Sequence, residues 1–282
     1  MKAVVSLKAQ HRLGDLLAAA GLARSTFFYH QARLLEPDPQ AELKTAITEV
    51  FTASRKRFGH RRVWAQLRAD GWVVSRKTVW KLMRELDLRC PIRRRRFRSY
   101  RGTTSRTAPN VLDRDFTVTG PNQKWVTDVT EFHIGPDKVF LSAVMDLFDR
   151  QVIGATIGPS PTLTLTNSSL QQALTTLEPG QHPIVHSDQG FQYQHATWQE
   201  LLARVGATAS MSRKGNCLDN AVIESFFGHL KDELYCDTSF TTPTQLTTAL
   251  RDYLAWFNHD RPHSSNEGLA PVQYRNQTLA AA

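Results

Sequence analysis

A change in hydrophobic period near residue 124 constrains this chain more than any other feature. Upstream, apolar residues recur at helical spacing. Downstream, Lys124 to Ile134 alternates, Val139 to Phe148 is apolar on both faces, and Gln151 to Ile157 forms a third β-rich run. Leu163 to Leu177 then reads as a helix, Ile184 to Ser187 as a short buried strand, Ala196 to Val205 as a helix and Ala207 to Met211 as a strand. Two long helices follow, over Leu218 to Tyr235 and Thr244 to Asn258. The order βββαβαβα predicts an α/β domain with a mixed five-stranded sheet and flanking helices, preceded by an all-α region.

In that all-α region, Leu13 to Ala20 and Thr26 to Leu34 read as two short helices turning at Gly21, with Ser25 as N-cap, at helix-turn-helix spacing. Pro37 and Pro39 break the chain. A second helical set follows over Ala41 to Ala53, Arg61 to Asp70, and Arg76 to Leu86, the last capped by Ser75. In that third helix Val79, Leu82, Met83 and Leu86 share one face, which leaves Arg76, Lys77, Lys81 and Arg84 on the other, available to DNA. Arg93, Arg94, Arg95 and Arg96, with Arg98, Arg101 and Arg106, sit in a stretch without apolar period and read as a linker suited to bidentate phosphate contacts. The predicted organisation is a helix-turn-helix over 1–38, a second one over 39–90, a basic linker over 91–120, an α/β core over 121–240, and a C-terminal helix and tail over 241–282.

Charge divides along the same line. Residues 1–110 carry 24 lysines and arginines against 8 aspartates and glutamates, a net +16, whereas residues 111–282 carry 11 against 18, a net −7. A basic half of this density is the footprint of nucleic-acid binding, because each neutralised phosphate releases counterions. An acidic half that works beside DNA points to carboxylates holding divalent cations. Two solvated surfaces of opposite sign are the plainer alternative.

Other classes are disfavoured. The longest apolar patch, Leu16 to Ala23, is far short of the roughly 20 residues that span a bilayer. Only Ala3 to Leu7 precedes Lys8, too little for a secretory signal, so a cytoplasmic protein, nucleoid-associated when on DNA, is expected. Cys90, Cys217 and Cys236 form no CxxC pair and read as free thiols.

Three acids stand out by placement. Asp128 lies inside the first strand, sharing a face with Val126, Thr130 and Phe132, where a carboxylate is costly unless compensated. Asp188 follows the apolar run Pro183 to Ser187 and sits at a strand end. Glu224 lies in a long helix, on a polar stripe with Asn220, Gly228 and Lys231. A strand centre, a strand end and a helix can converge at one sheet edge and there hold two Mg²⁺ ions about 3.5 to 4 Å apart for phosphodiester chemistry. Asp146, Asp149 and Asp219 are expected outside this set, Asp219 as a helix cap.

Trp125-Val-Thr-Asp128, His186-Ser-Asp-Gln-Gly190 with Tyr193, Ser210-Met-Ser-Arg-Lys-Gly-Asn216, Asp219-Asn-Ala221, and Glu224-Ser-Phe-Phe227 with Leu230-Lys-Asp-Glu-Leu-Tyr235 resemble the integrase-type DDE domain of insertion-sequence transposases. The chain is most similar to the second reading frame product of the insertion sequence 3 family, whose last two acids have the 35 intervening residues that separate Asp188 from Glu224. Phe58-Gly-His-Arg-Arg-Val63 resembles the family's helix-turn-helix start, and Trp256-Phe-Asn-His-Asp-Arg-Pro-His263 its C-terminal signature. Leu218, where an aromatic is common, and Asn266-Glu267, which interrupts an apolar step, depart from the pattern. Residues 1–89 contain no cysteine, which disfavours the zinc module of retroviral integrases.

The resemblance implies a ribonuclease-H-like fold and an integrase catalytic core over 121–240, with Asp128, Asp188 and Glu224 catalytic and metal-binding. It implies binding to terminal inverted repeats, Mg²⁺-dependent cleavage at the element's 3′ end with Mn²⁺ able to substitute, and strand transfer. Double-stranded DNA is the expected partner, with a homo-oligomer on DNA and the upstream reading frame product as further partners. Lys214, Lys231 and Arg261 are candidate phosphate contacts. The competing readings are a DNA-binding regulator or inhibitor of transposition with a silent catalytic domain, a structure-specific nuclease, and a plain α/β binding module.

Overall fold

The computed structural model describes residues 2–33, 38–90, 108–213, 217–235 and 238–281. Three short helices open the chain, α1 (Lys2–Leu7), α2 (Leu13–Ala19) and α3 (Arg24–Arg33), and close around Val4, Leu17 and Phe27. Helix α1 is an addition to the sequence reading, since six residues are too few to show a period. Helix α3 starts at Arg24, so Ser25 lies inside its first turn and does not cap it.

Helices α4 (Ala41–Ala53), α5 (His60–Ala69) and α6 (Arg76–Glu85) enclose a second core of Ile47, Phe51, Val63, Leu67, Val79, Leu82 and Met83. The Ser75 hydroxyl accepts the Thr78 N–H at 3.1 Å and so caps α6 as the sequence indicated. Because Val79, Leu82 and Met83 are buried, the 3.6-residue period turns Arg76, Lys77, Lys81 and Arg84 outward, and all four are exposed.

The α/β half is built on β1 (Lys124–Ile134), β2 (Asp137–Asp146), β3 (Val152–Gly158), β4 (Ile184–Ser187) and β5 (Thr208–Met211), in sheet order β3-β2-β1-β4-β5. Strands β1, β2 and β3 form an antiparallel meander, and β4 and β5 add in parallel beside β1. Helices α7 (Leu163–Leu174), α8 (Phe191–Gln194) and α9 (Ala196–Arg204) accompany one core, with Trp125, Val185, Tyr193 and Trp198. At Gly154 of β3 the sheet meets α7 so closely that a Cβ would lie 2.1 Å from the Ser169 carbonyl oxygen, and only glycine fits.

The opposite core joins Val126, Phe132 and Leu141 of the sheet to Phe226 and Phe227 of α10 (Ala221–Leu230), and to Leu250 and Phe257 of α11 (Pro243–His259). The single long helix expected over Leu218 to Tyr235 is three pieces: a 3₁₀ turn at Cys217–Asn220, α10, and a π turn at Lys231–Tyr235. The wider π turn coincides with burial of Glu233, which a continuous α-helix would have turned to another side.

Helix α12 (Pro271–Ala280) is a further addition. Its Arg275 pairs with Asp149 and, at 2.8 Å, with Asp146. Asn266 follows the departure from the family pattern by burying its amide against the Asp149 carbonyl oxygen at 2.6 Å, with Glu267 in left-handed backbone at φ 56°. The helical and α/β halves also touch. Phe58 packs on Trp256 of α11, the Arg57 guanidinium lies 5.1 Å from the Trp256 ring, and Arg62 of α5 meets Glu233 at 2.8 Å. Among the described residues no helix is long and apolar enough to cross a membrane, and Cys90 is a free thiol.

Candidate active site

The parallel pairing of β1 with β4 matches Val126 to His186. Two residues further along each strand, Asp128 and Asp188 therefore reach the same level on adjacent chains, whose spacing is about 4.8 Å. Asp188 stands just past the end of β4, exposed at the rim, and Glu224 comes from α10, which packs across β1. Three elements thus bring the three acids within reach of one another's charge.

The electrostatics record that proximity. Burial pushes the Asp128 carboxyl up to about 8, helped by the charges of Asp188 and Glu224 and opposed by the Val129 N–H and Lys231. Asp188, although its side chain reaches solvent at the rim, is raised by the water that the surrounding protein displaces, against the N–H of Gly190, and Glu224 is raised by partial burial and the charge of Asp188. Oδ1 of Asp128 accepts the Val129 N–H at 2.7 Å, and Oδ1 of Asp188 accepts the Gly190 N–H at 2.8 Å, so the second oxygen of each is left for other partners. Among the described residues no three His, Cys, Asp or Glu side chains are drawn into a ready metal-ligand cluster. The donor set is nevertheless the hard, all-oxygen kind suited to Mg²⁺, and a cation would offset both the desolvation that raises these acids and the repulsion of Asp188 on Asp128 and Glu224.

Lys231 is half-buried, with Nζ 5.5 Å from the Phe132 ring centre and its charge felt by Asp128. Behind the acids lies a polar layer. His186 is buried with Nδ1 2.8 Å from the Ser210 hydroxyl, which also accepts the N–H groups of Val111 and Leu112 at 3.0 Å each. With both N–H groups donating to it, Ser210 has its own proton for Nδ1, which assigns the ring proton to Nε2. Burial lowers His186 to about 4 and keeps it neutral. The Tyr193 hydroxyl is fully buried, and its pKa is raised by that burial and by Asp128 and Asp188.

The remaining candidates fall elsewhere. On α6 the exposed face also carries Trp80, 43% exposed, with the Arg84 guanidinium 4.9 Å over its ring. Arg93, Arg94, Arg95, Arg96 and Lys214 lie outside the described residues. Arg261 corrects an expectation: it is buried and bonded to both carboxylate oxygens of Glu233, so its guanidinium is not free for a phosphate. Asp146 and Asp149 are buried structural acids held by Arg275. Asp219, expected as a helix cap, instead accepts from Arg114 Nε at 2.8 Å and Asn110 Nδ2 at 3.0 Å, and anchors the segment that leads into the sheet. Sequence reasoning passed over Arg62 and Arg150. Neither lies in a polar stripe, and the Arg62–Glu233 pair spans 171 residues, beyond any local pattern.

The chain is similar to several known proteins. The HTH-like domain family matches residues 38–96, and two integrase core domain families match residues 118–217 and 224–279. The putative transposase InsK for insertion sequence element IS150 of Escherichia coli K12 is 45% identical over 99% of this chain and 98% of that protein. The transposase InsF for insertion sequence IS3A of the same strain is 37% identical over 84% of this chain and 83% of that protein. Among solved structures, the HTLV-2 integrase catalytic core domain is 22% identical and aligns with a TM-score of 0.44 over 55% of this chain and 97% of that one. The chain belongs to the insertion sequence 3 family of transposases, with a helix-turn-helix region followed by an integrase-type catalytic core.

Proposed function

We propose that this transposase binds the terminal inverted repeats of its element, hydrolyses the phosphodiester at each 3′ end, and joins the freed 3′-hydroxyl to target DNA. The observation that supports the reading is the placement of Asp128 in β1, Asp188 at the end of β4 and Glu224 in α10, where the charge of Asp188 acts on both of the other acids. These three carboxylates would hold two Mg²⁺ ions, or Mn²⁺ in their place. When bound, such ions supply activation of the attacking oxygen and charge for the leaving oxygen. Lys231 would hold a phosphate beside the scissile bond. Arg76, Lys77, Lys81 and Arg84 on α6, with Arg93 to Arg96 and Lys214, would contact the DNA backbone.

The division into 1–38, 39–90, 91–120, 121–240 and 241–282 is proposed as a division of labour between recognition, linkage and chemistry. Assembly as a homo-oligomer on DNA, joined by the upstream reading frame product and working at the nucleoid, completes the reading. The test is cleavage and joining of a labelled element end by wild type, Asp128→Asn, Asp188→Asn and Glu224→Gln. DNA binding should survive in each variant while both reactions collapse, Mn²⁺ should replace Mg²⁺, and Ca²⁺ should allow assembly with little chemistry. Near-normal cleavage by one variant removes that acid from the set. Binding without cleavage by wild type would favour a regulator with a silent core.

A further inference from the structure

A cleft of about 900 Å³ runs between the helical half and α10. Arg61 of α5, Arg76 of α6, Ser225 of α10 and Arg150 of the β2–β3 turn are among its lining residues. Two further arginines of the lining, Arg62 and Arg261, share the single negative charge of Glu233. Arg61, Arg76 and Arg150 form no ion pair among the described residues, and the one acid in the lining is Glu267. Three arginines against one glutamate leave the cleft positive.

Arg150 is the informative residue. Its Nη1 is buried with no hydrogen-bond partner, although Asp146 and Asp149 are near enough for their charges to act on it. Both of those carboxylates are held by Arg275 and by backbone N–H groups. A buried guanidinium N–H without an acceptor is costly, and turning this half-buried side chain outward to an anionic oxygen in the cleft would remove that cost. Arg76, stacked on Trp64 at 5.7 Å, presents a second planar fork, and Phe116 and Val222 supply apolar wall for sugar rings.

Arg76 opens α6, whose basic face is proposed to lie on DNA, so the cleft is continuous with that face. We propose that the cleft is a binding site for the sugar–phosphate backbone of DNA, with the half-buried Arg150 as a phosphate ligand. It extends the basic face of α6 toward α10 within one chain. This inference rests on the proposed DNA-joining function.

The test measures binding of the full-length protein to a fluorescent duplex of arbitrary sequence, and to one of its strands alone, over a salt series. Arg150→Gln and Arg61→Gln should each weaken binding several-fold. On the duplex each should lower the slope of log K against log salt by about 0.9, and on the single strand by about 0.7. Arg204→Gln, on exposed α9 surface away from the cleft, should keep the wild-type slope. Thermal melting checks that Arg150→Gln is folded, and Arg61 is exposed, so its replacement gives a second reading free of that concern. If wild type binds DNA while both cleft variants keep its slope, the cleft is not a backbone site and the proposed function stands. If wild type binds neither probe, the proposed function fails, and the cleft inference with it.

Discussion

The guanidinium of Arg261 faces the carboxylate of Glu233, with Nε 2.9 Å from Oε2 and Nη2 2.8 Å from Oε1, and both side chains are buried. Arg62 of the helical half and the Tyr253 hydroxyl, each at 2.8 Å, also bond this carboxylate. One acid on the π turn after α10 therefore ties the helical half, the helix bearing Glu224, and the end of α11 together. Removing the acid while leaving Arg261 buried strands a charge. Glu233→Gln should lower the free energy of unfolding by about 3 to 5 kcal/mol. Arg62→Gln, whose side chain is 25% exposed, should cost about 1 kcal/mol or less. Urea denaturation of the two variants checks this, and equal losses would deny the Arg261 pair its special weight.

The same acid sets an acid limb of stability. Burial alone would raise Glu233, but the hydrogen bonds and charge of Arg261, with Arg62, bring it from the ordinary 4.5 down to about 2. A lowered folded pKa stabilises fully above about pH 4.5 and loses that contribution as the pH falls from there through about 2, a change of about 3 kcal/mol. The gap in stability between wild type and Glu233→Gln should therefore narrow from pH 7 to pH 3. An unchanged gap would show that the charge of Glu233 is not what the core depends on.

Asp128 works in the opposite sense. Its folded pKa of about 8 stands above the ordinary 3.8, so without metal this acid opposes folding increasingly as the pH rises between those values. In chelator at pH 8, Asp128→Asn should melt higher than wild type by at least roughly 2 to 4 °C, the equivalent of about 1 kcal/mol. Added Mg²⁺ should raise the midpoint of wild type and leave that of the variant nearly unmoved. A variant that melts lower in chelator would contradict the repulsion among the three acids.

On α6, Lys81→Ala and Arg84→Ala remove exposed charges whose neighbours do not depend on them, so melting should stay within about 0.5 kcal/mol of wild type. Duplex binding should weaken, and each loss should reduce the salt slope by about 0.9. Retention of the wild-type slope in both would place this face away from the DNA.

Much of this architecture is local and was therefore legible in the order of residues. The β-type run over 124–134, in which burial alternates from Thr130 to Ile134 while Trp125, Val126 and Thr127 are all buried, and the 3.6-residue period of α6 follow from which side chains must leave water, and they place Asp128 inside β1 and Arg84 on an outer face. The positions of Asp188 at a strand end and Glu224 on a helix were local too. Whether those three acids share one electrostatic site depended on the parallel register of β1 with β4, which pairs residues 60 apart and has no counterpart in any window of sequence. The fates of the individual charges were likewise decided by tertiary contact. Arg261 and Arg62 converge on Glu233, Asp219 receives Arg114, and Arg150 is left facing a cleft. A charged side chain has the same pattern in sequence whether it meets water, a phosphate or a distant carboxylate. Only the packing of remote elements decides which of these it meets, because the cost of burying a charge depends on the partner that arrives with it.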